Sequence, residues 1–265
     1  MAPTHDPTEA YLEALLAGDI AALLSGFAGE PALDDPLAGR VSGTPDFERF
    51  AGERQAWLAE RAARLEPVRT TRGNRRTVFE ALLHLRLPER AVELPVAVVG
   101  EHATAGRLRA IRVYHSLWPL LGAHRVRAAL LPPDSTLQLT DVIAEYQHAL
   151  AAGDVEAIVR TFEPEGYFRE PAGGDYVYHG LEQLRRFMAQ LLGPGGIPLE
   201  HCTMTDDGVA CAIEFNAVKF GPHPLVPQAG VAVYERGPSG RLCGARIYDD
   251  VNVEAYASSG GPADD

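Results

Sequence analysis

Lysine is almost absent from this chain. Lys219 is the only one among 265 residues, and arginine carries nearly all the positive charge, which we read as a coding bias before chemistry. Cysteine is scarce as well. Cys202, Cys211 and Cys243 form no C-x-x-C pair, and an odd, sparse set excludes a disulfide framework and fits a reducing cytoplasm. No apolar run reaches the ~18 residues of a membrane span. Met1 to Glu9 has neither a basic stretch nor an apolar one, so no signal peptide is expected. Basic charge is short overall. The net charge is −12 and the pI near 5.2, which argues against nucleic acid and anionic membranes as partners. There is no G-x-G-x-x-G, P-loop or G-x-S-x-G, and Gly193-Pro-Gly-Gly196 reads as a loop. His84, His115, His124, His148 and His201 show no H-x-H or H-x-x-x-H spacing, so neither metal nor cofactor is expected.

What is present is a repeat. Tyr11-Leu-Glu-Ala-Leu-Leu-Ala-Gly-Asp19 lines up with Tyr146-Gln-His-Ala-Leu-Ala-Ala-Gly-Asp154 at a shift of 135 residues. Phe27 meets Phe162, and Asp35-Pro36 meets Glu170-Pro171, at the same shift. Phe50 meets Phe187 after two inserted residues. Gly106-Arg-Leu…Arg112-Val-Tyr114 meets Gly240-Arg-Leu…Arg246-Ile-Tyr248. The expected division is a first domain over 1–120, a linker over 121–139 carrying Pro132-Pro133, a second domain over 140–256, and a small acidic tail over 257–265 expected to be disordered.

Each copy has the same grammar. An amphipathic helix spans about 6–17 or 140–152. Asp19 or Asp154 then sits where it can cap a short second helix. A turn carries Asp35 or Glu170. A third helix follows, opened in the first copy by Thr44-Pro45. Four strand-like runs end each copy, at about 65–72, 75–86, 92–101 and 107–117, and at about 198–205, 208–220, 228–236 and 241–252. Helices followed by a strand meander predict an α+β fold, with three helices on one face of a curved antiparallel sheet.

The joint Ala151-Ala-Gly-Asp-Val-Glu-Ala-Ile158 with Phe162, and the closing run Gly240-Arg-Leu…Arg246-Ile-Tyr-Asp249, resemble the nuclear-transport-factor-2-like superfamily, in its SnoaL-like and ketosteroid-isomerase-like branch. The resemblance implies two tandem cone-shaped domains, each able to enclose an apolar small molecule. It leaves the reaction open, since the branch holds isomerases, polyketide cyclases, epoxide hydrolases and binding modules.

The resemblance also implies which residues face the pocket. Asp35 and Glu170 fall at its mouth, in register in both copies, beside apolar Leu33 and Phe168. Each is a solvated turn acid or a pocket carboxyl whose pKa apolar walls would raise. Glu66 and Glu200 open the first long strands and repeat as well. Fused polyether epoxide hydrolase/cyclases, which this pattern resembles most, imply the pairs Asp35–Glu66 and Glu170–Glu200. One carboxyl would activate a nucleophile while the other protonates the epoxide oxygen. Tyr11 and Tyr146 on the first helices are candidate substrate contacts, as in ketosteroid isomerases. The second acid of those enzymes is missing at Val96-Ala-Val-Val-Gly100 and Val231-Ala-Val-Tyr234. Glu80 aligns with Asn216, and His115 with Asp249. Of Asp249 and Asp250 only one is expected inside, and Asp249 is favoured. The expected function is a cofactor-free acid/base enzyme of specialised metabolism opening an epoxide in a polyketide-like substrate. The alternatives are a polyketide cyclase or isomerase, or a binding or scaffold protein with one inert half. The halves are expected to pair within the chain, with further homo-oligomers open.

Overall fold

The computed structural model describes residues 6–104, 106–192 and 195–251. The expected tail and part of the Gly193–Gly196 loop lie outside these residues. The chain divides into two compact units between His115 and Ser116.

In the first unit, α1 (Pro7–Ala17) is capped by Asp6, whose carboxylate accepts from the Thr8 N–H at 2.8 Å. It ends at Gly18, whose φ of +70° is the left-handed conformation glycine takes at no steric cost. Asp19 caps α2 (Ile20–Ser25) through the Ala22 N–H at 2.9 Å. Then come β1 (Ala32–Asp35), β2 (Gly39–Ser42) and α3 (Thr44–Glu60), with Pro45 in its first turn. The strands β3 (Arg64–Arg72), β4 (Arg76–Arg86), β5 (Ala91–Thr104) and β6 (Arg107–Tyr114) complete the unit.

The second unit opens with a short helix, α4 (Trp118–Leu121), and then repeats the plan. Helices α5 (Asp141–Ala152) and α6 (Val155–Arg160) meet at Gly153, and Asp154 caps α6 through the Ala157 N–H at 2.9 Å. Strands β7 (Phe162–Arg169) and β8 (Val177–His179), helix α7 (Gly180–Leu192), and strands β9 (Leu199–Asp206), β10 (Ala210–Phe220), β11 (His223–Arg236) and β12 (Leu242–Tyr248) follow. The sheets run β2-β1-β6-β5-β4-β3 and β8-β7-β12-β11-β10-β9, the same order strand for strand.

Two expectations need correcting. The sheets are mixed rather than antiparallel throughout, because β1 pairs parallel with β6 and β7 parallel with β12. The segments expected as turns are hairpins, β1–β2 and β7–β8, so Asp35 ends a strand and Glu170 follows one. The expected linker 121–139 makes backbone hydrogen bonds within the second unit. Ala129 donates its N–H to the Pro227 carbonyl and Asp134 to that of His201.

The second core lies between helices and sheet. From β10 it takes Cys211, Ile213, Phe215 and Ala217, alternate residues that share one face of a pleated strand. In the first unit Gly100 marks the equivalent face, because a Cβ there would collide with Thr8 of α1. Thr77 is its cross-strand partner, so Phe79 and Ala81 share this face and Glu80 lies on the other. The three cysteines are free. No described helix is long and apolar enough to cross a membrane.

Candidate active site

The second unit holds a cavity of about 330 Å³. Its walls are mostly apolar and aromatic, with Phe168, Phe187, Phe215 and Phe220 among them. Two carboxyl groups open into it, Glu170 from the β7–β8 turn and Asp249 from just past β12. Burial is the main cause that pushes Asp249 up to about 7, with help from the charges of Asp250 and Glu170. A backbone N–H from Val251 and the nearby His124 act the other way. Burial also raises Glu170. The Tyr178 hydroxyl, which donates to its Oε1 at 2.5 Å, opposes that rise, as does His124. Two acids thus share one low-dielectric space, each with different partners.

Around them stands a set of hydroxyl groups. Tyr146 and Tyr234 line the cavity with ring centres 5.0 Å apart, and burial raises both phenols. Gln147 Nε2 donates to the Tyr234 hydroxyl at 2.7 Å. Trp118 and His124 complete the wall, stacked at 4.9 Å.

Residues 143–243 match the family model of the SnoaL-like domain. The second unit is a SnoaL-like domain. The first unit repeats its element and strand order, so the chain is two such folds in tandem. Several solved structures are similar, each covering less than half of this chain. They include an NTF2-like protein of unknown function from Cytophaga hutchinsonii ATCC 33406 (19% identity, covering 43% of this chain and 94% of that one, TM-score 0.34). Another is the epoxide hydrolase/cyclase-like enzyme SalBIII of pyran ring formation in polyether salinomycin (15% identity, 42% and 88%, TM-score 0.34). A third is a protein with a ketosteroid isomerase-like fold from Catenulispora acidiphila DSM 44928, in complex with trimethylamine (17% identity, 44% and 91%, TM-score 0.37). No curated protein matches the sequence.

Within the SnoaL-like domain, the structure brings Glu170, Asp249 and Tyr146 to one cavity. Glu200 is not there. Leu199 lines the cavity, so its neighbour on β9 turns away, and Glu200 is exposed. The partner of Glu170 is therefore Asp249, not Glu200. Asn216 is likewise misassigned. It sits between the cavity residues Phe215 and Ala217 and points to the opposite face, where it donates to the Leu131 carbonyl at 3.0 Å.

The first unit places its candidates differently. Asp35 is buried, but its Oδ1 accepts from Arg54 Nη2 at 2.6 Å and from the N–H groups of Leu37 and Ala38. Glu66 is 60% exposed and bonds His84 at 2.8 Å, so the expected Asp35–Glu66 pair is absent. Tyr11 is buried near Asp35, and its hydroxyl has no hydrogen-bond partner. Glu80 is buried on the sheet face away from α1. His115 is buried directly after β6. Among the described residues, no group of three or more His, Cys, Asp or Glu could hold a metal ion.

Sequence reasoning missed Tyr178, Tyr234, Gln147 and His124. The first three are strand and helix residues that no motif marks as facing the cavity. Gly230 is a further one, and there the signal is steric. A Cβ at this position would stand 2.5 Å from the Phe215 ring and 2.8 Å from Asp249 Cβ. Gly230→Ala should displace both, with a loss of about 1–3 kcal/mol seen in thermal melts. A melt matching wild type would show that the close approach is not needed.

Proposed function

We propose that the SnoaL-like domain of the second unit is a cofactor-independent acid/base catalyst that opens an epoxide in an apolar, polyketide- or polyether-type substrate. The observation that carries this reading is the pair Glu170 and Asp249 in one apolar cavity of about 330 Å³, a size within the range of small-molecule sites. Glu170, with the Tyr178 hydroxyl on its Oε1, is the better anion and so the general base. Asp249, up at about 7, keeps its proton near neutrality and is the general acid. Glu170 takes the proton of an attacking hydroxyl or water as the new C–O bond forms. Asp249 delivers its proton to the epoxide oxygen as the old C–O bond breaks. The aromatic walls exclude bulk water, which strengthens both interactions.

The first unit has no role in these steps. Its turn acid is engaged by Arg54, and in this reading the unit serves as the fused partner of the other half.

The test is a panel of apolar epoxides, trans-stilbene oxide among them, assayed for ring opening in H₂¹⁸O. Glu170→Gln should lower turnover about a hundredfold or more. Failure of the wild-type protein to open any epoxide while still binding these compounds would favour a cyclase, isomerase or binding role. Equal rates for Glu170→Gln and wild type would remove the acid/base reading.

A further inference from the structure

Part of the cavity wall comes from outside residues 143–243, the ones that match the SnoaL-like family, and His124 is among these residues. His124 lies in the segment that leads from the first unit into the second. We propose that His124, held at the cavity rim by Asp250, relays protons between Glu170, Asp249 and solvent. The proposal rests on the acid/base reading of this cavity.

The geometry is that of a fixed imidazole. His124 Nδ1 donates to Asp250 Oδ1 at 2.8 Å. Asp250 is itself buried and held by two further donors, the Ser116 hydroxyl at 2.7 Å and the Arg125 N–H at 2.6 Å. The Ser116 oxygen in turn accepts the Trp118 N–H at 3.0 Å, and the Trp118 ring stacks on the imidazole. A carboxylate on Nδ1 fixes the tautomer and leaves Nε2 as the working nitrogen. The His124 side chain is 37% exposed while its ring lines the cavity, so it touches both compartments. Its charge is felt by both Glu170 and Asp249.

The chemistry needs such a group. Opening one epoxide leaves an extra proton on Glu170 and removes one from Asp249. No net proton is consumed, but the cycle closes only when the proton returns from Glu170 to Asp249. Apolar walls slow that return through water. Histidine is the side chain that exchanges protons readily near neutrality. The charged and titratable groups facing it are Asp249 and Asp250 after β12, and Glu170 and Tyr176 at the β7–β8 turn.

A probe that needs only the base and the exit route tests this. In 5-nitrobenzisoxazole, a base removes the ring C–H proton as the N–O bond breaks, giving a coloured phenolate. Each turnover leaves one proton that must reach solvent. In dilute buffer, His124→Gln in the full-length chain should turn over at least about tenfold more slowly. Added imidazole should restore the rate, which repair of a merely structural defect would not do. Asp250→Asn should show a smaller loss. It should also shift the ¹⁵N signals of His124 away from the Nδ1–H form that the wild type keeps. An unchanged rate for His124→Gln, a loss that imidazole does not restore, or an Nε2–H tautomer in the wild type would each overturn the relay. Glu170→Gln separates the two readings. If it loses turnover while His124→Gln does not, the relay alone fails. If neither variant changes the rate, or the wild type does not raise the probe's rate above buffer, the acid/base reading fails with it.

Discussion

Asp249→Asn should sharply slow epoxide opening and, at alkaline pH, make the protein more stable than wild type. Both effects have one source. An aspartate ordinarily ionises near 3.8, and burial moves Asp249 to about 7. Between those values the folded protein keeps a proton that the unfolded chain has lost. The stabilising effect of that retained proton is complete below pH ~4 and is lost as pH rises through about 7. Above that, the folded protein carries a charge in an apolar wall, at ~4 kcal/mol relative to the unfolded chain. Asparagine has the same shape and no charge to acquire, so the melting advantage of Asp249→Asn over wild type should widen from pH 5 to pH 8.5. The same ionisation governs the rate. Wild-type turnover should fall as pH rises through about 7, because the general acid loses its proton, and Asp249→Asn should sit about 10²–10⁴-fold lower. Parallel melts at both pH values would refute the buried acid. A flat rate profile with a fully active variant would refute its catalytic role.

Much of the scaffold was legible because it is written twice. The Gly18-Asp19 and Gly153-Asp154 joints each combine a left-handed helix end with a capping carboxylate, and both survive as such in the structure. The long strands were legible from their apolar runs. The hairpins β1–β2 and β7–β8 were not, since strands of three or four residues carry too little alternation to separate from turns. The site was harder, because a strand residue faces one side or the other and sequence gives only the alternation. Leu199 and Glu200 show the problem, as one step along β9 decides which of them enters the cavity. The acid pair therefore had to be found in three dimensions. His124 was invisible for another reason. Its partner Asp250 lies 126 residues away, in a contact that only the fold creates. Arg54 was within reach but not drawn. Carried past the two-residue insertion, the alignment of Phe50 with Phe187 sets Arg54 opposite Leu191, and Leu191 lines the cavity.

That substitution separates the two halves, and removing it should have the largest structural effect. Arg54 and Asp35 are only 12% and 6% exposed, and they meet at 2.6 Å. The guanidinium also lies over the rings of Phe50 and Trp57, at 5.4 and 5.6 Å. Arg54→Ala would leave Asp35 buried with two backbone N–H partners and no countercharge. Breaking a buried pair from one side destabilises by about 3–5 kcal/mol, whereas replacing both members by uncharged residues can be nearly neutral. Arg54→Ala should therefore unfold the first unit at markedly lower urea, and Arg54→Leu with Asp35→Asn should recover most of the loss. The two tryptophans allow the measurement, since Trp57 belongs to the first unit and Trp118 to the second. In a Trp118→Phe background the fluorescence follows Trp57 alone. Turnover should persist in Arg54→Ala under conditions where the first unit remains folded, because every residue of the cavity wall belongs to the second unit. A loss below about 1 kcal/mol would mean that the pair is a weak surface-like contact. Turnover falling in step with the mutation would place catalysis in the first unit as well. The acid of the turn is kept in both copies, but an arginine holds it in one and apolar walls with a tyrosine hydroxyl surround it in the other, and on the proposed acid/base reading that difference decides which copy moves a proton.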